Sequence, residues 1–139
     1  MTDEATPQGA APAGGQTVLI ADDETHILNV VSLKLRNAGY QVLTARDGQE
    51  ALELAQQNHP DLLITDYHMP ALSGIELCRR LKQDPRTSDI PAIMLTARGY
   101  HLEEQDTATS GIRQMLSKPF SPRHLLLTVA EVLNGSKAA

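Results

Sequence analysis

The chain contains a single cysteine, Cys78, so no internal disulfide can form and a reducing compartment is its simplest home. It also lacks any apolar run approaching the roughly 20 residues that span a bilayer. Its N-terminus does not show the basic-then-apolar order of a signal peptide. These absences predict a cytoplasmic location with no membrane partner. No Lys/Arg cluster interrupts a net charge of −5, which argues against direct nucleic-acid binding, since that depends on neutralising phosphates. His26, His59, His101 and His124 are scattered, with no metal-ligand spacing and no shared strand end.

What is present is enough for one domain. The 139 residues can bury a single core and are too few for two, and 41% apolar with 21% charged residues fits a globular chain. Residues 1–16, MTDEATPQGAAPAGGQ, carry no large apolar side chain beyond Met1 and read as a disordered tail. The domain is placed at 17–134, with a frayed end over 135–139.

Two hydrophobic periods alternate through that domain. Strand-like runs are predicted at 17–21, 40–45, 61–65, 90–96 and 113–117. Helical spacing is predicted at 25–39, 47–57, 74–83, 101–111 and 121–135. Gly39 supplies a left-handed end to the first helix, and Asp47 and Ser121 supply caps. His59-Pro60 stops the second helix and Asn134-Gly135 the fifth. Strict alternation implies an α/β fold with a parallel sheet covered by helices on both faces. Right-handed connections leave few topologies. The first, third and fourth strands are nearly continuous apolar runs and belong in the centre. The order 2-1-3-4-5, a flavodoxin-like doubly wound three-layer sandwich, puts them there and directs a ligand to the carboxyl ends of the strands.

Those ends carry the chemistry. The first strand runs into Asp22-Asp23 with Glu24 next, the third into Asp66, the fourth into Thr96 and the fifth into Lys118-Pro119. Each residue has a bland reading as a cap, a turn residue or a solvated charge. Collected on one edge, the carboxylates repel one another and raise each other's pKa unless a cation neutralises them. Lys118 is one positive charge against three negative ones. An all-oxygen donor set suits Mg²⁺, which keeps several waters and also binds phosphate oxygens. A carboxylate can act as a nucleophile and become an aspartyl phosphate. Asp66 is therefore the candidate phosphoryl acceptor, with Thr96 and Lys118 placed to hold phosphoryl oxygens.

The segments VLIADDE, DLLITDYHMPALSGIEL, IPAIMLTA and LSKPF, in this order, strongly resemble the receiver domain of two-component response regulators, over about Val18 to Leu133. The strand order above is also the one known for that family. The resemblance implies that Asp66 is the phosphorylated residue and that Asp23 and Asp66 coordinate Mg²⁺, with Asp22 acting through water. It implies that the backbone carbonyl of His68 completes the protein ligands, so Asp22, Asp23, Asp66 and His68 form the metal set. Thr96 matches the family's switch hydroxyl, Lys118 its lysine, and Pro119 a proline preceded by a cis bond. The implied donor is a phosphohistidine on a sensor histidine kinase or histidine phosphotransfer protein. The implied output is binding of a downstream protein target, by a monomer or weak homodimer.

This chain departs from the family at Met115, where Tyr or Phe is usual; Tyr100 is an alternative occupant of that role. His68 and Arg98 stand at the two rim positions that tune acyl-phosphate lifetime in the family. Cys78 is read as a packed core thiol and Met94 as core of the fourth strand. With no residues left for an output module after Asn134, a single-domain regulator is expected, catalysing only its own phosphorylation and dephosphorylation. Two rival readings are a haloacid-dehalogenase-like phosphatase and a phosphorylation-independent receiver-like binding module. The first wants a second aspartate two residues after the nucleophile, where His68 stands. The sequence argues against a histidine-kinase role, since nothing resembles a nucleotide-phosphate-binding loop.

Overall fold

The structure is a computed structural model describing residues 15–97 and 110–138. Strands β1 (Thr17–Ala21), β2 (Gln41–Ala45), β3 (Leu62–Asp66), β4 (Ala92–Thr96) and β5 (Ile112–Ser117) form one sheet. They pair in parallel in the order β2-β1-β3-β4-β5, as the sequence predicts. Helices α1 (Thr25–Asn37), α2 (Gly48–Asn58), α3 (Gly74–Gln83) and α4 (Pro122–Ala138) are the described helices. The expected tail over 1–16, apart from its last two residues, lies outside the described residues, as does the expected helix over 101–111, apart from 110 and 111.

Every residue of β3 and β4 is buried, whereas β2 and β5 expose part of their length. This is why the apolar runs belong centrally: a strand covered on both faces has no solvent side on which to place polar residues. Alternation along the strands divides the core into two layers. Leu19, Ala21, Leu63, Ala92 and Met94 pack toward α2 and α3 with Leu52, Leu77 and Leu81. Val18, Ile20, Leu62, Ile64, Ile93 and Leu95 pack toward α1 and α4 with Leu28, Val31, Leu125 and Val129. Cys78 sits inside the first layer, and burial pushes its thiol up to about 12, so it behaves as a small apolar side chain.

Local chemistry explains where the helices begin and end. Asp47 accepts from the Glu50 N–H, Ser73 from the Glu76 N–H and Ser121 from the His124 N–H, so α2, α3 and α4 each carry a side-chain cap. Gly39 adopts φ 102°, and the Gly39 and Tyr40 N–H groups donate to the Arg36 and Leu35 carbonyls, closing α1 as a Schellman motif. His59 takes the left-handed conformation just before Pro60 and ends α2. The predicted stop at Asn134-Gly135 is not used, and α4 continues to Ala138. Gly135 does not adopt a positive φ, so no left-handed cap forms there. An exposed helical glycine costs only about 1 kcal/mol relative to alanine, which the helix tolerates.

Gly48 and Gly74 are both required by close approach, and Gly74 is the one beside the Asp66 backbone. Gly74 opens α3 and donates its N–H to the Tyr67 carbonyl at 2.7 Å. A Cβ built there would overlap the carbonyl oxygen of Asp66. Backbone against backbone leaves no flexible group to yield. Gly74→Ala is therefore expected to destabilise the domain by about 2–3 kcal/mol, the cost of forced overpacking, read as a lowered midpoint in urea unfolding with an unchanged slope.

Candidate functional site

Parallel pairing delivers the strand ends to one edge. The register that sets Ile20 beside Ile64 and Ala21 beside Thr65 brings the next residues, Asp22 and Asp66, together. Carboxylate oxygens of Asp22, Asp23 and Asp66 lie within 4.8 Å of one another. Asp22 is fully buried, Asp66 nearly so, and Asp23 exposed. Thr96 ends β4 beside Ser117 of β5, and its carbonyl accepts from the Lys118 N–H at 2.7 Å. The Lys118-Pro119 peptide bond is cis.

The Lys118 ammonium meets a carboxylate in three directions: Glu24 at 2.7 Å, Asp22 at 3.0 Å and Asp66 at 3.4 Å. Burial by itself would favour its neutral amine, yet the hydrogen bonds to Glu24 and Asp22 and the nearby charges outweigh that and hold it above the usual lysine range. Glu24 is held below the usual carboxylate range by the same hydrogen bond and charge. Asp66 moves the other way. Its burial and the Asp22 charge push it up, with Lys118 opposing. Burial is the larger of the two upward causes, and the Asp22 charge adds to it despite the neighbouring ammonium.

The predicted residues Asp22, Asp23, Asp66 and Lys118 thus converge, and Thr96 reaches the same edge. The Thr96 hydroxyl is buried with no hydrogen-bond partner among the described residues. His68 is exposed, its ring meeting that of Tyr67 edge-on at 4.6 Å between centroids. Met115 is half-buried against the layer formed with α2 and α3, filling apolar space there. Arg98 and Tyr100 lie outside the described residues. The loop after Asp66 is pinned by the Gly48 N–H donating to the Pro70 carbonyl and the Leu72 N–H to the same oxygen.

Sequence reasoning assigned Glu24 no role, although its carboxylate makes the shortest contact to Lys118. A signal was available. Glu24 occupies the N-cap of α1, a position that favours Ser, Thr, Asp or Asn, and its side chain makes no cap hydrogen bond.

The chain matches the family described as "Response regulator receiver domain" over residues 18–130. It is 43% identical over 123 residues to the phosphate regulon transcriptional regulatory protein PhoB of Pseudomonas aeruginosa, an alignment covering 86% of this chain and 52% of that protein. The chain spans about half the length of the curated relatives it matches. A putative response regulator from Chloroflexus aurantiacus has a similar structure, with a TM-score of 0.79 at 38% identity, covering 86% of this chain and 98% of that one. The chemotaxis response regulator CheY4 of Vibrio cholerae gives a TM-score of 0.78 at 36% identity, with coverages of 85% and 98%.

The upward shift at Asp66 has a consequence for stability. Its folded-state pKa lies above the ordinary value of 3.8, so ionised Asp66 opposes folding. That penalty is absent below the ordinary carboxylate range and grows as pH rises through the folded-state pKa. In metal-free buffer, Asp66→Asn should therefore raise the unfolding midpoint at neutral pH. Its advantage should shrink on acidification toward pH ~3, as unfolding curves across the pH series will show.

Proposed function

This chain belongs to the response regulator receiver-domain family, and from that premise we propose that Asp66 is its phosphoryl acceptor. The observation that carries the assignment is the buried Thr96 hydroxyl without a partner, on the sheet edge that holds Asp66 and Lys118. A buried hydroxyl left unpaired costs about 1–3 kcal/mol; Ser32 is unpaired in the same way, and what distinguishes Thr96 is its place on the edge where a phosphoryl oxygen would supply the missing partner.

In the proposed reaction, a carboxylate oxygen of Asp66 attacks the phosphorus of a phosphohistidine. The phosphorus–nitrogen bond breaks as the phosphorus–oxygen bond forms, and the imidazole leaves with the electron pair. The product is an acyl phosphate on Asp66. Lys118 follows the added charge by pairing with a phosphoryl oxygen, and the Thr96 hydroxyl donates to another. Asp22 keeps Lys118 aimed at the acceptor through its 3.0 Å contact.

The hard-oxygen donor set of Asp22, Asp23 and Asp66 fits Mg²⁺, with the His68 carbonyl as a further ligand. When bound, the ion neutralises charge on the phosphoryl oxygens and on the acidic cluster. Both the raised pKa of Asp66 and the excess of carboxylates over ammonium support a dication there.

The donor is a sensor histidine kinase or a histidine phosphotransfer protein. The output is altered affinity for a protein target, without direct nucleic-acid contact by this domain, whose acidic net charge opposes phosphate binding. The chain catalyses its own phosphorylation and dephosphorylation and turns over no separate substrate. No described helix is long and apolar enough to cross a membrane, which agrees with a cytoplasmic setting. The receiver-family match sets aside the haloacid-dehalogenase-like alternative.

Incubation with acetyl phosphate and Mg²⁺ should add one phosphoryl group, seen as a mass shift labile to acid and base. Asp66→Ala should abolish it, and chelation of Mg²⁺ should suppress it. Thr96→Val, which removes the hydroxyl at nearly constant volume, should slow labelling by roughly 10²-fold, on the scale of losing one charge-stabilising donor. Undiminished labelling of Asp66→Ala would remove Asp66 from the role.

A further inference from the structure

We infer that Glu24 is a positioning residue that holds Lys118 in its resting place and must release it when a phosphoryl group arrives. The inference rests on the acceptor role proposed for Asp66 and extends it to how readily the site accepts charge.

Three observations converge. First, α1 is the one described helix with a resolved N-cap whose cap side chain makes no cap bond: Asp47 and Ser73 bond the amides of α2 and α3, and Ser121 does so for α4. Glu24 directs its carboxylate instead to Lys118, at 2.7 Å. Second, the Glu24 backbone is held for this purpose. One Asp22 oxygen accepts from the Glu24 N–H at 2.9 Å while the other accepts from Lys118 at 3.0 Å. Asp22, Glu24 and Lys118 therefore close a small ring of contacts. Third, Lys118 lies closer to Glu24 than to Asp66, which is 3.4 Å away. In the resting arrangement the ammonium is committed more to the rim than to the acceptor.

Glu24 can do this reversibly because it differs from Asp22 in exposure. The Glu24 side chain is 58% exposed and the Asp22 side chain fully buried. Water can replace Lys118 as partner of Glu24 at little cost, whereas Asp22 has no such alternative. When Asp66 gains phosphoryl charge, Lys118 can leave Glu24 and keep Asp22. Glu24 thus sets a threshold on capture of the ammonium without being required for the reaction.

The test is a double-mutant cycle on labelling rate with acetyl phosphate and Mg²⁺, using the full chain, Glu24→Gln, Lys118→Ala and the double variant. Circular dichroism confirms that each folds. Glu24→Gln should label faster by roughly two- to fivefold, the range set by an exposed ion pair. Titration calorimetry with beryllium fluoride, a non-covalent phosphoryl analogue, should show a matching gain in affinity. In the Lys118→Ala background the Glu24 substitution should have no effect, because its influence passes through the ammonium. A gain that persists there undiminished overturns the inference in favour of simple charge repulsion of the donor, and an unchanged rate in Glu24→Gln also overturns it. Labelling indifferent to Glu24 leaves Asp66 as acceptor, whereas absence of labelling in the parent chain brings down both.

Discussion

One ammonium facing several carboxylates is the interaction on which this molecule turns. Lys118 reaches Asp22, Glu24 and Asp66 together, and without it Asp22 would be a fully buried anion held, among the described residues, by the Glu24 backbone amide. A buried charge stripped of its partner costs several kcal/mol, a sizeable part of a domain's whole stability. The same interaction is incomplete by design of its numbers, since one positive charge offsets only part of the cluster. Burial, and after it the Asp22 charge, push Asp66 upward in spite of the ammonium. Structure and function are therefore coupled at one place: the site stays folded through Lys118 and remains receptive to further positive charge.

The fold serves this arrangement through register. Lys118 and Asp22 are 96 residues apart in the chain, and only a sheet with β1, β3, β4 and β5 in parallel brings both to one edge. Two packed layers hold that sheet rigid on either face. Gly74 lets the start of α3 come against the Asp66 backbone, so the strand that carries Asp66 and the loop after it are fixed by main-chain contacts. Placement by backbone rather than by flexible side chains suits the acceptor role proposed for Asp66, which calls for little reorganisation.

Much of this was legible from residues alone, for identifiable reasons. The buried strands announce themselves because both faces are covered and polar residues have no place on them, as in LLITD and AIMLT. Caps such as Asp47 and Ser73 are local devices and are read locally. The misreadings are those where a local signal met a wider context. Asn134-Gly135 looks like a helix stop, but a stop needs the glycine to turn left-handed, and Gly135 does not. The strand predicted from residue 90 begins at Ala92, because pairing with β3 and β5 starts only there. Glu24 was passed over because a lone exposed glutamate after an acidic pair has no local partner, and its actual partner, Lys118, directly follows the last strand, 94 residues on.

The sequence by itself determined the class of fold, the candidate residues Asp22, Asp23, Asp66, Thr96 and Lys118, and the kind of chemistry that hard oxygens and one amine permit. Periodicity and residue type are properties of short stretches, so they survive without coordinates. Tertiary structure alone decided which of those groups touch, in what order of closeness, and which are shielded from water. It set Lys118 nearer Glu24 than Asp66, sealed Asp22 from solvent and left the Thr96 hydroxyl unpaired. Coulomb energy depends on separation and on the surrounding dielectric, and neither quantity exists until distant segments have packed.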